Sequence, residues 1–442
     1  MAAKVLLRGG CVLTLGAKTP NSRQADLLIE DGRVAEVGQG IRSRDAEVVD
    51  AADTIVMPGF VDTHRHTWTS LFRNFGDAPG GSVSWAPTVS ADRYGPDDVY
   101  AATLVGLLGA VEAGITTVVD WSDGSLDAPS VEAALQAHAD AGMRTVFVVG
   151  RPDRHDGSPA DELRRLLADI AAAAGSSTSV ALGVDESKTN DPGRAAGLVA
   201  LARELGLRVH LHAGTRESGH GMVSELATRG LLGEHVTLVH GSELDRADLD
   251  AVASSGTAVS LAPSSEMAGG RGAAPIQPLV DRDIRPGLGI DDERVSPGDL
   301  FAQMRATISM QHATAFELKL AGKAGVPKLM NTRNVIRYAT VDGARVAGLR
   351  GVTGSLEPGM QADVIVLRTD RPNIFPINDP IGAVVWGMDT SNVDWVFAGG
   401  RVLMREGVLQ ADVERAGALA TEARGRVAAA AGLVGAAPGG TA

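Results

Sequence analysis

The sequence predicts an α/β protein: a (β/α)8 TIM barrel plus a small β-sandwich domain built from both chain termini. Three observations support this prediction. Short β-branched runs alternate with Ala- and Leu-rich helical stretches through the middle of the chain, which is typical of a parallel sheet covered on both faces. β-type segments with turn dipeptides lie at both ends. The length of 442 residues is enough for one large domain and a smaller one.

The two ends of the chain are composed of short strand candidates separated by turn signals. The stretch ADLLIEDGRVAEVG contains Asp31-Gly32, a dipeptide that favours a tight hairpin turn. Near the other end, QADVIVLRTD and VDWVFAGGRVLM are again β-type, with Gly399-Gly400 at a turn. The two ends could pair into one small sheet or form two separate β caps, and composition alone leaves both alternatives open.

Between the ends, eight strand candidates alternate with helical stretches such as DDVYAATLVGLLGAVEAG. Eight β-α units over roughly 290 residues have the size of a (β/α)8 barrel, and a doubly wound open sheet is the alternative. The candidates are IVMPGFVDTHRH and the runs 115–121, 144–150, 179–186, 208–214, 236–242, 257–263 and 285–293. The predicted parts are the first half of the sandwich (1–56), the barrel (57–350), the second half of the sandwich (351–412), and a C-terminal helix with a disordered tail (413–442).

Composition and charge exclude several classes of protein. The formal net charge of −13 argues against a nucleic-acid-binding surface, because phosphate binding needs an excess of Lys and Arg on some face. The single cysteine, Cys11, excludes an intrachain disulfide and a cysteine-based zinc site. No apolar run approaches the about 18 residues of a membrane span, and the start has no signal-peptide pattern. We therefore expect a cytoplasmic protein without nucleic-acid or membrane partners, and a homo-oligomer stays open.

Metal-competent side chains lie where four of the predicted barrel strands end, which is the end where such barrels carry their active sites. Side chains alternate faces along a strand, so His64 and His66 point to the same side. Imidazoles with one carboxylate suit Zn2+, and Fe2+ or Mn2+ less decisively; a bound divalent ion makes its water more acidic. The residues are His64 and His66 on the first strand, His210 and His212 on the fifth, His240 on the sixth and Asp291 on the eighth.

Each of these residues also has a purely structural interpretation. A lone His-x-His pair occurs on surface strands, and a histidine that ends a buried strand is often only hydrogen-bonded. Asp291 could cap a following helix. The combination favours a metal site, because four strand ends of one proposed barrel each supply a group that can bind a metal.

The stretch IVMPGFVDTHRH resembles the first-strand signature of the amidohydrolase superfamily. LLIEDGRVAEVG, together with GSLEPGMQADVIVL and VDWVFAGGRVL, resembles the two-part β-sandwich of that superfamily. The resemblance covers nearly the whole chain and is closest to the cytosine deaminase-like and triazine chlorohydrolase-like branch. It implies one divalent metal ion, Zn2+ before Fe2+ or Mn2+, with His240 steadying the attacking water or the substrate. The implied metal ligands are His64, His66, His212 and Asp291.

The sequence around the fifth strand differs from the superfamily pattern. His210 and His212 share a strand face; His212 lies nearer the strand end and matches the histidine of the superfamily's His-x-x-Glu text, whereas His210 is expected behind it or in the core. The glutamate that shuttles protons in the deaminases is replaced by Thr215, which cannot carry protons at neutral pH. The nearest carboxylate, Glu217, could bend back towards the substrate or be a solvated surface residue.

These observations predict a metal-dependent hydrolase that cleaves a C–N bond of a small, nitrogen-containing, heterocyclic compound. A hydroxide on the metal attacks, and Asp291 serves as general base and acid; deamination and hydrolysis of a cyclic amide or amidine both stay open. Trp68 could stack on a flat substrate or pack at the barrel mouth. His240 and Glu217 are the other candidate substrate contacts. The alternatives are a lyase or isomerase that uses the same metal as a Lewis acid, and a non-catalytic binding protein that kept the barrel.

Overall fold

The computed structural model of the chain describes residues 4–73, 89–123, 127–150, 160–185, 191–215 and 221–433. Its strands form a 9-stranded sheet and an 8-stranded sheet. The 8-stranded sheet is a parallel barrel, and the 9-stranded sheet is built from both ends of the chain. The predicted α/β architecture, a barrel with a small additional β domain, is confirmed.

The strands fall into three groups along the chain. The N-terminal group is β1 (Val5–Val12), β2 (Ser22–Glu30), β3 (Arg33–Gly38), β4 (Glu47–Asp50) and β5 (Thr54–Pro58). The barrel group is β6 (Phe60–Arg65), β7 (Ile115–Ser122), β8 (Arg144–Val149), β9 (Thr178–Asp185), β10 (Arg208–Ala213), β11 (Val236–His240), β12 (Ala258–Leu261) and β13 (Gly287–Leu288). The C-terminal group is β14 (Val364–Arg368), β15 (Val393–Ala398), β16 (Arg401–Arg405) and β17 (Val408–Leu409).

Strand β5 joins the two chain ends into one sheet. The sheet order is β17-β16-β15-β14-β5-β1-β2-β3, with β4 paired to β1. β5 runs antiparallel to β14, with Val56 opposite Val366, and parallel to β1. Apolar side chains of both chain ends, such as Leu27, Val56 and Phe397, pack into one shared core. The two β-rich ends therefore pair with each other and are not separate caps.

The barrel strands pair in chain order from β6 to β13, all parallel. The barrel closes where the backbone N–H groups of Ile290 and Asp291 both donate to the carbonyl of His64. The eighth strand has only two residues, and the backbone is left-handed three residues further on, at Asp291, whose φ is 61°. Gly289 allows this approach, since a Cβ there would lie 2.8 Å from the His64 backbone. The short strand still brings Asp291 beside the first strand.

The predicted first barrel strand, IVMPGFVDTHRH, forms two strands instead of one. β5 belongs to the terminal sheet and β6 to the barrel, with Gly59 between them. A Cβ at Gly59 would lie 2.2 Å from the side chain of Thr116, so glycine is required where the chain passes between the two sheets. The strand that carries His64 and His66 is thus covalently continuous with the terminal sheet.

Helices follow most barrel strands and cover the outside of the sheet. A typical example begins where the Asp127 carboxylate accepts the N–H of Ser130 and ends at Gly142, whose φ is 72°. No helix among the described residues is long and apolar enough to cross a membrane. The helices are α1 (Pro96–Glu112), α2 (Ala128–Ala141), α3 (Ala160–Ala173), α4 (Pro192–Glu204), α5 (Met222–Thr228), α6 (Arg246–Ser255), α7 (Pro263–Ala268), α8 (Ile276–Val280), α9 (Leu300–Leu320), α10 (Thr332–Tyr338), α11 (Val341–Val346), α12 (Pro380–Gly382) and α13 (Val413–Ala430).

Several shorter helical segments complete the described part of the chain. The 3-10 segment Thr67–Phe72 directly follows β6 and is buried. The last helix, α13, packs against α1, where Arg426 and Asp98 form an ion pair at 2.7 Å. The tail predicted after this helix, 434–442, lies outside the described residues. The remaining segments are the 3-10 turns Ala91–Arg93 and Thr390–Asn392 and the π-helical segment Ala383–Gly387.

Candidate metal centre

The carboxyl end of β6 places two imidazoles on one side of the strand. His64 lies within β6 and His66 directly after it, and both side chains are buried. Their rings meet edge to face with centroids 4.8 Å apart. The N–H of His66 donates to the carbonyl of Asp291 at 2.9 Å, so the first and eighth strand ends are in direct contact.

Strand β10 adds a third imidazole to this pair. Nε2 of His212 lies 3.0 Å from Nε2 of His64. Burial lowers the pKa of His212 well below its ordinary value, although the carboxylate of Asp185, 3.8 Å from Nδ1, acts in the opposite direction. The imidazole is therefore neutral, which is the form that ligates a metal ion.

Asp291 supplies a carboxylate whose two oxygens have different environments. Oδ2 accepts hydrogen bonds from Oγ of Ser265 at 2.6 Å and from the guanidinium of Arg271 at 2.5 Å. Oδ1 is buried and has no hydrogen-bond partner among the described residues. Burial raises the pKa of Asp291, but the charge of Arg271 and the neighbouring imidazoles outweigh it and hold the pKa well below the ordinary value. Asp291 therefore presents an ionised Oδ1 to the imidazoles.

This donor set fits a divalent cation. Oδ1 of Asp291 lies 3.3 Å from Nε2 of His64 and 3.4 Å from Nε2 of His66. Donors held at about 2.0–2.2 Å from a tetrahedral ion lie about 3.3–3.6 Å apart, so a carboxylate oxygen without a donor at this distance is suited to a shared ion. Three imidazoles and one carboxylate suit Zn2+. Two groups of side chains could hold an ion, His64 with His66 and His212, and His64 with His240 and Asp291. Because Asp291 also lies close to His66, the set His64, His66, His212 and Asp291 can share one ion.

His240 lies at the rim of the same cluster. Its backbone is left-handed, with φ at 75°, and its ring stacks on that of His212 with centroids 5.3 Å apart. Nδ1 of His240 contacts Oε1 of Glu266 at 3.1 Å. A ring nitrogen of His240 also comes within 4.8 Å of donor atoms of His64 and Asp291. Because Glu266 occupies Nδ1, Nε2 is the nitrogen that remains for the centre.

The structure places the other candidate site residues less directly at the centre. Trp68 is buried in the 3-10 segment after β6, where its ring lies 6.5 Å from that of His66 and 5.5 Å from the guanidinium carbon of Arg294. His210 is fully buried one layer below His212. Thr215 is buried directly after β10, and Glu217 lies outside the described residues.

Several residues around the centre were not anticipated from the sequence. Trp121, at the end of β7, stacks on His212 with centroids 3.9 Å apart, and its Nε1 donates to Asp123 at 3.2 Å. Asp123 lies 3.5 Å from Nδ1 of His66. These side chains fix the orientation of two candidate ligands, in the way that outer-shell partners do in metal sites. The strand-end rule applied to β7 would have indicated them, because both lie within two residues of its carboxyl end.

Comparison with known proteins adds three findings. A family model described as the amidohydrolase family matches residues 55–403. A 5'-deoxyadenosine deaminase of Methanothermobacter thermautotrophicus is 28% identical over 426 residues, which cover 92% of this chain and 94% of the relative. A 5-methylthioadenosine/S-adenosylhomocysteine deaminase of Symbiobacterium thermophilum is 27% identical over 425 residues, covering 91% and 94%.

Two solved structures have the same fold. An adenosine deaminase from Xanthomonas campestris with bound zinc superposes with a TM-score of 0.82 at 20% identity, covering 97% of this chain and 99% of the other. The atrazine chlorohydrolase of Arthrobacter aurescens, complexed with zinc, also gives 0.82 at 22% identity, covering 95% and 100%. At this identity the likeness shows a common fold, and the barrel with its terminal sheet is therefore shared with zinc-containing proteins.

Proposed function

The chain belongs to the amidohydrolase family, and from that premise we propose that it deaminates the adenine ring of a small adenosine-type nucleoside. The protein is a metal-dependent hydrolase that cleaves a C–N bond of a heterocyclic compound. Support for an adenine nucleoside as the substrate comes from relatives whose names specify deamination of 5'-deoxyadenosine and 5-methylthioadenosine. We propose the cytoplasm as its location, in keeping with the single cysteine of the chain.

The observation that carries the proposal is the convergence of one carboxylate oxygen and three imidazoles from three strand regions. We assign the metal to His64, His66, His212 and Asp291. When bound, the ion supplies a water with a pKa of about 7, which makes hydroxide available at neutral pH. The chain's own residues then bind, orient and move protons around the reacting carbon.

The proton transfers are assigned to atoms that face the centre. Oδ2 of Asp291 already accepts hydrogen bonds from Ser265 and Arg271. Oδ1 of Asp291 and Nε2 of His240 are therefore the atoms whose lone pairs remain for the centre. Asp291 takes one proton from the attacking water and gives it to the departing amine, which leaves as ammonia. The other hydrogen of the water ends on ring nitrogen N1 when the hydroxypurine becomes the oxo product. His240 accepts a hydrogen bond from the attacking water.

The proposal is tested by a substrate screen with the metal-replete protein. The set contains adenosine, 5'-deoxyadenosine, 5'-methylthioadenosine and S-adenosylhomocysteine, with cytosine, an aminotriazine and a lactam as competing classes. We expect ammonia release from an adenine nucleoside and incorporation of heavy oxygen from labelled water. Asp291→Asn should lower kcat by about 10²–10⁴-fold, the usual contribution of a positioned acid-base group.

Two results would overturn it. Turnover confined to the lactam or the triazine would replace the nucleoside by another C–N substrate. Conversion without solvent oxygen in the product would favour the lyase or isomerase, which uses the metal only as a Lewis acid.

A further inference from the structure

The turn after the seventh barrel strand contacts both neighbouring strand ends at once. β12 ends at Leu261, and α7 begins at Pro263. From α7, Ser265 reaches Asp291, three residues beyond the eighth strand, and the adjacent Glu266 reaches His240 at the end of the sixth. Glu266 has no exposed surface. A fully buried glutamate is rare unless it is paired, so its contacts reveal its role.

The hydrogen bonds of Glu266 define which atom donates to which. Oε1 accepts the backbone N–H of Ala262 at 2.9 Å, so this oxygen is an acceptor. Nδ1 of His240 lies 3.1 Å from the same oxygen and must therefore be the donor. With Nδ1 donating to Glu266, the neutral form of the ring keeps a free lone pair at Nε2.

The contact between Glu266 and His240 matters because the lone pair of Nε2 lies on the side of the centre. His240 has a left-handed backbone, a conformation that persists in a residue with a side chain only when its surroundings hold it. Its ring nitrogen lies within 4.8 Å of donors of His64 and Asp291. With the opposite tautomer, an N–H instead of a lone pair would face the centre and the attacking water.

We propose that Glu266 is a positioning residue for the C–N hydrolysis, fixing His240 in the Nδ1–H tautomer so that Nε2 accepts a hydrogen bond from the attacking water. It acts only through His240, which separates it from the donors of the centre. The reaction that Glu266 serves rests on the proposed function, whereas the tautomer of His240 does not depend on it. Position 215 carries a threonine where the resemblance predicts a glutamate. Glu266 and His240 therefore orient the water without a carboxylate at position 215.

The direct test is the tautomer of His240, read by nitrogen-15 correlation spectroscopy of histidine-labelled protein, both metal-free and loaded with Zn2+. His240→Asn identifies the signal by its loss. We expect Nδ1 protonated and Nε2 unprotonated in the wild type and in Glu266→Gln, whose amide oxygen still accepts. Glu266→Leu should lose this preference. An Nε2–H tautomer in the wild type overturns the proposal, whatever the substrate screen finds.

The second readout separates orientation from metal binding and folding. With the nucleoside found in the screen, Glu266→Leu should lower kcat by about 10–100-fold, as outer-shell changes do, at unchanged KM and zinc content. Glu266→Gln should recover most of the loss. Glu293→Gln is the control for the tautomer, because Glu293 is buried at the same barrel end but bonds Ser70 and pairs with Arg65 at 3.4 Å instead of a histidine. This variant should leave the tautomer of His240 unchanged. A wild-type kcat per bound zinc in Glu266→Leu overturns the proposal; if that variant does not fold, the wild-type tautomer decides.

Discussion

Two clusters of histidine and carboxylate are buried in this barrel, and they differ in how completely their atoms are bonded. In the closed cluster, Asp120 contacts Nε2 of His138 at 2.9 Å, and Oγ1 of Thr145 contacts Nδ1 of the same ring at 3.0 Å. Thr67 donates to Asp120 through both its N–H and its hydroxyl. Every ring nitrogen and both carboxylate oxygens have a partner, and all four side chains are buried.

The candidate metal centre contains the same residue types but leaves some of their polar atoms without a hydrogen bond. Among the described residues, Oδ1 of Asp291 and Nδ1 of His64 have no hydrogen-bond partner. Nε2 atoms of His64 and His212 face each other at 3.0 Å. A buried polar atom without a partner costs free energy unless a ligand satisfies it. The comparison shows that the candidate centre keeps ring and carboxylate atoms that a ligand could satisfy, whereas every such atom of the closed cluster already has a partner.

The largest expected effect is obtained by breaking the centre at one ligand. His212→Ala should lose stoichiometric Zn2+ and lower turnover by more than about 100-fold, because removal of a ligand exceeds the 10–100-fold effect of outer-shell changes. Metal content by elemental analysis and kcat on the screened nucleoside measure this. Wild-type zinc content in the purified variant would show that the centre lies elsewhere.

Breaking the closed cluster should give the opposite result. His138→Leu leaves the buried carboxylate of Asp120 without its imidazole, which should lower the free energy of unfolding by about 3–5 kcal/mol. Zinc content and turnover of the folded fraction should stay at wild-type levels. Denaturant unfolding measures the loss, with His312→Leu as the control, because His312 bonds only a backbone carbonyl and should cost about 0.5–1.5 kcal/mol. Equal losses in the two variants would contradict the special role of the closed cluster.

A smaller effect concerns the pH dependence of the closed cluster. Burial raises the pKa of Asp120, but the hydrogen bond and charge of His138 outweigh it, so the folded pKa lies below 3.8. The stabilisation is complete above the unfolded pKa of about 3.9 and is lost as pH falls through the lower folded pKa. The free energy of unfolding of the wild type should exceed that of Asp120→Asn most clearly above about pH 4. The difference between the two free energies should become smaller as the pH falls. Urea unfolding between about pH 3 and 5 checks this, and a constant gap would refute it.

The contrast also explains what the sequence could predict. The alternation of β-branched runs and Ala-rich stretches predicts a parallel sheet covered on both faces, and the number of eight units favours a barrel over a doubly wound open sheet. Strand-end position indicated His64, His66 and Asp291, since carboxyl ends of parallel strands meet at one edge. The structure brings these side chains together with His212.

Other features depend on contacts that no local pattern records. Asp120 also lies near the end of a strand, β7, and only its partners, His138 on α2 and Thr67 after β6, make it structural. Glu266 lies in a short turn helix after β12, and its contact with His240 depends on the left-handed backbone at the end of β11. The split of the first run at Gly59 depends on the close approach of Thr116.

The pairing of β5 with β14 bears on how the protein is made. The ribosome synthesises the chain from its N-terminus, so β5 and β6 emerge long before β14. β14 is the strand that pairs with β5, directly upstream of His64 and His66. Until residues 364–368 arrive, one long edge of β5 lacks its partner and offers unpaired amides to other nascent chains. Shortening the C-terminus by gene truncation would leave that edge open permanently, so aggregation on expression is the outcome to anticipate.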